Sequence, residues 1–534
     1  MLAALGTAFV VAALASPAQA AENETAKNDA ASCTGKLDTS LHSARSGSAD
    51  VIVVGHPGSS AAAAAAVSTA GGYVIGQEPM IDGVRASVPN MRIAQLACSS
   101  AVLSVSPNRV VHFQSNDQNG DQNSDPVHGA ATGSDFVRAT GASSMWKSGN
   151  KGAVGVAVID TGISPMNDVA GRVVYGPDLS GEGTIIDSYG HGTVMGSIIG
   201  GNGHDSAAAP GGPITGMAPD SKLISVKVAG RNGATDVSTV LQAMHWVSAY
   251  QKQFDIRVLN LSWGTPSTQS PTLDPLDYAV ERLWRQGIVV VVAAGNAGPG
   301  PQTILKPADD PLVITAGAYD DGGTAGSSGD SMPEWSSVGP TAAGYAKPDL
   351  VAPGRTLIAQ RSYGSQVERD NPSALIAPSY IKGSGTSEAA AVTSGAVALL
   401  LAARPHLTPD QVKHILTTAA KPLATTPATA QGAGRLTLRD SDDLRAGRRT
   451  QQEPVAGGMG SLEASRGGRH VQVDCGEDGS VDVIVGEITA NCQPWTGSSW
   501  TGSSWTGSSW TGSSWTGSSW TGSSWTGSSW TGGV

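Results

Sequence analysis

Short apolar runs rich in β-branched residues recur through the middle of the chain, separated by longer stretches of mixed character. Val154 to Ile159, Leu223 to Val228, Val258 to Leu261, Ile288 to Ala293 and Leu312 to Gly317 are apolar at nearly every position, the pattern of strands covered on both faces. Thr235 to Ala249 and Leu273 to Gln286 read as helices between them. This alternation predicts an α/β fold, a parallel sheet with helices on both faces. Ala389 to Ala403 is largely apolar but shorter than the roughly 20 residues that span a bilayer, and it reads as a helix buried in the core. Residues 50 to 113 carry a different pattern: a strand Val51 to Val54, an Ala-rich helix Ser60 to Ala70, strands Tyr73 to Gly76 and Val84 to Pro89, a helix through Ile93, Leu96 and Ala97, and a last strand from Val102 to Phe113. That order predicts a small α+β unit, an antiparallel sheet with two helices on one face.

The two ends differ from both. Leu2 to Ala15 is apolar and is followed by Ser16-Pro17 and Ala18-Gln19-Ala20, the pattern of a secretory leader cut after Ala20, although no Lys or Arg precedes it. After Leu444 the composition shifts to Gly, Arg, Gln and Ser, leading to a strand-rich piece around His470 to Val485. From Trp495 to Trp530 the unit Thr-Gly-Ser-Ser-Trp recurs seven times. With Gly and Ser between lone indoles these repeats have nothing to build a core from. They read either as a passive stalk or as exposed aromatic platforms for cell wall or polysaccharide.

At 534 residues the chain is long enough for several units, and a charged fraction of 14% with 69 Gly suits an exported, turn-rich protein. The net charge of −11, with no basic cluster interleaved with aromatics, excludes nucleic acid as a partner. Four cysteines fall as Cys33 and Cys98 before the central region and Cys475 and Cys492 after it. Three pairings are open, of which pairing within each segment would staple two small units with thin cores. No thiol is available in between for nucleophilic or zinc chemistry.

The candidate chemistry lies in three strings: Val158-Ile159-Asp160-Thr161-Gly162, His191-Gly192-Thr193 and Gly385-Thr386-Ser387. They supply a carboxylate, an imidazole and a hydroxyl in the order Asp, His, Ser. A serine hydroxyl needs an imidazole to take its proton, and the imidazole a buried carboxylate to orient it. A fourth string, Ala293-Ala294-Gly295-Asn296, follows the buried strand Ile288 to Val292. With these motifs the chain resembles the subtilisin-like serine peptidases over roughly residues 130 to 445.

The resemblance implies a triad of Asp160, His191 and Ser387, with the Asn296 amide and the Ser387 backbone N–H as oxyanion donors. It implies that substrate is held as an added strand between Gly233-Ala234-Thr235 and Ser262-Trp263-Gly264, although Trp263 reads equally well as plain core. The primary pocket would have walls at Ala293 to Gly295 and a floor near Leu305, favouring small or medium apolar side chains. Two positions depart from the family pattern: Glu388 stands where Met usually follows the nucleophile, and Ala391 where Pro usually stands. Val194 replaces a usual His. No cofactor is required for the chemistry, and structural calcium is left open. The loop Gly200 to Gly216 offers only Asn202 and Asp205 as plausible calcium oxygens, and an EF-type loop starting at Asp117 would have Gln122 and His128 where Gly and Glu are needed.

Residues 50 to 114 resemble the inhibitory propeptide of the same family, a ferredoxin-like unit that plugs the active site; a separate substrate-binding domain is the other reading. The polar joint Ser115 to Asp125 buries nothing, and the resemblance, which ends the propeptide strand Arg109 to Gln114 at the active site, implies self-cleavage within several residues of Gln114-Ser115. The expected layout is a leader at 1–20, a propeptide at 21–114 with its inhibitor-like unit at about 50–114, a processing linker at 115–129, the peptidase at 130–445, a linker and strand-rich segment at 446–494, and the Trp-repeat tail at 495–534. The function implied is a secreted, self-processing serine endopeptidase acting on proteins or peptides and held by its own propeptide, with no membrane span once the leader is removed. The rivals are a wall-binding surface protein whose tail is the main function and a catalytically silent homologue.

Overall fold

A computed structural model describes residues 33–42, 46–113, 135–209, 212–324, 326, 329–439, 441 and 451, with the backbone of one strand pair, Gln472–Val473 and Asp482–Val483, inside the strand-rich piece expected there. The leader, the joint after Phe113, Cys475, Cys492 and the Trp repeats lie outside the described residues.

The amino-terminal unit has four antiparallel strands, β1 (Ser48–Gly55), β2 (Tyr73–Glu78), β3 (Gly83–Pro89) and β4 (Val102–Pro107), in the order β2-β3-β1-β4. Alternation along β1 sends Val51 and Val53 to one face, where they pack with Val67, Ile93 and Leu96 from the two helices Ser60–Thr69 and Ile93–Ala97. Ile52 and Val54 point the other way, into the large core of the rest of the chain. Cys33 and Cys98 are disulfide-bonded, as pairing within the segment requires.

The expected last strand, Val102 to Phe113, is two strands. Pro107 has no N–H for the ladder, and the chain turns at Asn108, whose N–H donates to the Asp50 carbonyl at 3.0 Å. Beyond it β5 (Val110–Phe113) leaves the first sheet and pairs antiparallel with β9 (Ala234–Asp236) on one side and β11 (Trp263–Gly264) on the other.

The central body is a seven-stranded parallel sheet of β6 (Gly155–Asp160), β7 (Val173–Asp178), β8 (Lys222–Lys227), β10 (Ile256–Leu261), β12 (Val289–Ala293), β13 (Ile314–Tyr319) and β14 (Leu350–Pro353), in the order β14-β13-β12-β10-β6-β8-β7. All five expected strands are present within a residue or two. The edge strands β7 and β14, interrupted or ended by Pro, complete the sheet. The helices His191–Gly200 and Thr386–Ala403 pack on each other against one face, and Val237–Phe254 and Pro275–Arg285 pair against the other. Thr386–Ala403 has the length and apolarity of a membrane span, but it is the buried central helix of this core.

The small sheet docks on the outer helix pair through Met80 and Ile81 and through polar contacts. Arg85 Nη1 donates to Ser238 Oγ at 3.0 Å, and Arg282 Nη1 to Asp82 Oδ2 at 2.8 Å.

Candidate active site

Asp160 ends β6, 1% exposed, at the carboxyl edge of the sheet where open α/β folds place their sites. Its Oδ1 accepts from the Thr161 N–H at 2.7 Å and from His191 Nδ1 at 2.8 Å. Thr161 Oγ1 in turn accepts the Gly192 N–H at 2.9 Å, which ties the carboxylate to the helix that carries the imidazole. A Cβ on Gly192 would stand 2.2 Å from the Gly162 carbonyl and 3.0 Å from Asp160 Oδ1, so only Gly permits this approach.

His191 opens its helix after Gly190, whose φ of +112° favours glycine. The turn is fastened by Asp187, fully buried, which accepts from the Gly190 N–H at 2.6 Å and the Thr193 N–H at 2.8 Å. Asp187 was not among the sequence candidates; an acid three residues before a Gly-His helix start is the signal that marks it. Burial opposes a charged imidazole, but the Asp160 carboxylate, through its charge and its hydrogen bond, outweighs burial, and Glu388 and Asp187 add to it. The result raises His191 to about 9.

Ser387 lies in the first turn of the Thr386–Ala403 helix, fully buried, and donates from Oγ to the Ser262 carbonyl at 3.0 Å. Ser262 Oγ returns a hydrogen bond to the Ser387 carbonyl at 3.1 Å and accepts one from Asn260 Nδ2 at 2.9 Å. Asn260 Oδ1 accepts from Ser394 Oγ, two turns along the same helix, at 2.9 Å. Ser387 is thus held by a buried chain of polar groups, Ser262 and Asn260, at the end of β10. Asn296 Oδ1 accepts from both the Thr386 N–H at 3.0 Å and Thr386 Oγ1 at 2.9 Å, so its amide NH₂ is the end turned to donate. The same Thr386 hydroxyl accepts the Gly295 N–H at 3.0 Å.

The groove beside these groups is occupied by β5. Val111 pairs with Thr235 and His112 with Ala234 on one side, and His112 with Gly264 and Phe113 with Trp263 on the other. Ala234, Trp263 and Gly264 therefore meet β5 through their backbones. Gly233 stands just outside the ladder, at φ +62°, where a Cβ would strike the Tyr189 ring. The Trp263 indole is buried and donates from Nε1 to the Ile159 carbonyl at 3.1 Å, so its side chain is core while its backbone lines the groove. Leu305 lies between the glycine walls. A Cβ on Gly264 would meet Leu305 Cβ at 2.8 Å, and one on Gly295 would meet Leu305 Cγ at 2.8 Å. Beneath Leu305, Lys306 is fully buried and bound to Asp277 Oδ2 at 2.6 Å. Ala293, at the end of β12, is buried beside them. A cavity of about 500 Å³ lined by Met166, Tyr175, Gln360 and Tyr363 shares no residue with this group.

Of the oxygens considered for calcium, those of Asp205 and Asn202 accept from protein donors, and the stretch Asp117 to Asp125 lies outside the described residues. Asp205 accepts from Asn167 Nδ2 at 2.7 Å and Gln360 Nε2 at 2.9 Å, and Asn202 Oδ1 from the His204 N–H at 3.0 Å. Among the described residues no three His, Cys, Asp or Glu side chains converge as a metal site.

Comparison with known proteins agrees with this geometry. The sequence profile of the subtilase family matches residues 151–434, just over half of the chain. Serine protease AprX of Bacillus subtilis (strain 168) is 37% identical over 294 residues, 54% of this chain and 66% of AprX. Subtilisin DY of Bacillus licheniformis is 32% identical over 276 residues, 51% of this chain and 85% of that protein. The chain spans only 27% of the length of another relative, the subtilisin-like protease SBT6.1 of Arabidopsis thaliana. Among solved structures, fervidolysin from Fervidobacterium pennivorans, described as a keratinolytic enzyme related to subtilisin, shares the fold. Its TM-score is 0.57 at 21% identity, covering 77% of this chain and 63% of that one. With the motifs, the parallel sheet and the family match in agreement, this chain belongs to the subtilase family.

Proposed function

We propose that the protein is a secreted serine endopeptidase that matures by cutting its own chain. Ser387 Oγ gives its proton to His191 Nε2 as it attacks the scissile carbonyl. Asp160 holds Nδ1–H and stabilises the imidazolium, while the Asn296 amide and the Ser387 N–H receive the oxyanion. His191 then passes the proton to the departing amine, and water resolves the acyl ester by the same route. The Asp160–His191 bond supports this tautomer, because a donating Nδ1 leaves Nε2 as the basic nitrogen. No step runs through calcium.

The observation that carries the reading is β5, seated as a third strand between β9 and β11. Its register runs toward Ser262, the residue hydrogen-bonded to Ser387, which supports a cut within several residues beyond Phe113, near Gln114-Ser115. Residues preceding that cut then serve as the inhibitor. Leu305 between Gly264 and Gly295 supports a short primary pocket for small or medium side chains. The leader supports export, and the Trp repeats are assigned to contact with wall or polysaccharide. A fluorophosphonate probe tests the assignment. Labelling mapped to Ser387 and lost in His191→Ala is expected, and labelling elsewhere or none at all in processed protein overturns it.

A further inference from the structure

Glu388 follows the nucleophile on the first turn of the Thr386–Ala403 helix and is 5% exposed. Its Oε1 lies 2.6 Å from where a Cβ on Gly383 would stand, so a side chain at 383 would push the carboxylate aside. Gly383 ends β17 (Tyr380–Gly383), which belongs to a separate sheet with β15 (Leu357–Gln360) and β16 (Leu375–Ala377). The strands that hold the acyl side of a substrate, β9 and β11, are in the sheet with β5 instead. The carboxylate is therefore walled by an element that the acyl side does not use. Its charge acts on His191, the group that hands its proton to the departing amine.

From this placement we propose that Glu388 is a specificity-determining residue that selects a cationic side chain, Lys or Arg, on the first residue after the cleaved bond. This rests on the peptidase reading given above. A carboxylate so little exposed is screened far less than one on open surface, so it attracts a nearby cation and rejects a like charge. Selection then has both an attractive and a repulsive part. The chain's own joint lacks that cation: Ser115, Asn116 and Asp117 follow Gln114, and no Lys or Arg appears before Arg138. Self-cleavage is thereby a slow event compared with turnover of a basic external substrate.

Three quenched fluorescent peptides, identical except for Arg, Leu or Glu directly after the cleaved bond, test this on the processed full-length protein and its Glu388→Gln variant. The wild type is expected to favour Arg over Glu by about tenfold or more in kcat/KM, and the variant to bring that ratio near unity. Salt provides a second reading that needs no variant, since the wild-type ratio should contract between about 0.05 and about 0.5 M NaCl. An equal Arg-to-Glu ratio in both proteins, or a wild-type ratio near unity at low salt, overturns the proposal while leaving the peptidase reading in place. Cleavage of none of the three peptides overturns both.

Discussion

Glu78 ends β2 with its carboxylate 1% exposed, against the Val237–Phe254 helix that carries Gln242. Burial raises its pKa first and the Asp236 carboxylate second. The Gln242 amide and the Arg85 guanidinium, itself paired with Asp50, oppose them, and the outcome is about 8 against an ordinary 4.5. A shift of that size corresponds to about 5 kcal/mol between the two protonation states. When the small unit is docked Glu78 is a neutral acid; when it is released Glu78 meets water and ionises near its ordinary value. The Glu78 contribution to docking is thus fully present below pH 4.5. It falls about tenfold per pH unit as the pH rises, and levels off above about 8.

Glu78→Gln replaces the acid with an amide that is neutral at every pH, so it should remove this dependence. The assay holds self-cleaved, still-docked protein at a series of pH values from about 5 to about 9, returns it to one assay pH and measures the active fraction with an active-site label. The wild type should release the inhibitor on the alkaline side and stay latent on the acid side, while Glu78→Gln follows a much flatter curve. Identical curves for the two proteins, or faster wild-type release in acid, would refute the reasoning.

Three further outcomes are expected. Asn296→Ala should fold but lose about 2.7–4 kcal/mol of transition-state stabilisation, the range found for this amide in subtilisin, read as a fall in kcat with KM little changed; a kcat within threefold of wild type would remove Asn296 from the oxyanion hole. Leu305→Gly should open the space between Gly264 and Gly295 and shift cleavage of a peptide library toward Phe and Tyr on the acyl side, and an unchanged side-chain preference would show that Leu305 does not limit the pocket. Because His191 is raised to about 9 and must be neutral to act as base, kcat/KM should climb from neutrality into the alkaline range; an acid limb at or below 6.5 contradicts that.

The site was legible in the sequence because each motif is local and opens or closes an element. Asp160 ends a strand, His191 and Ser387 start helices, and Asn296 follows the buried run of β12. What the sequence hid depends on distant partners. Trp263 sits on a groove strand, yet its indole turns inward because the Ile159 carbonyl, far away in the chain, accepts its N–H. Lys306, Asp309 and Asp310 look like a charged surface loop, and only the fold brings Asp277 to them and buries all four. The break between β4 and β5 was signalled by Pro107 but masked by the apolar run continuing through Phe113. Asp187 looked like one more loop acid until the helix start at His191 supplied the N–H groups it caps.

Self-cleavage by Ser387 is tested most directly by expressing full-length Ser387→Ala beside the wild type and mapping the amino termini by mass spectrometry. The account predicts wild-type protein cut at or within a few residues of Gln114-Ser115, and a Ser387→Ala chain that remains joined there with β5 in the groove. Recovery of the same cut chain from pure Ser387→Ala protein would contradict it.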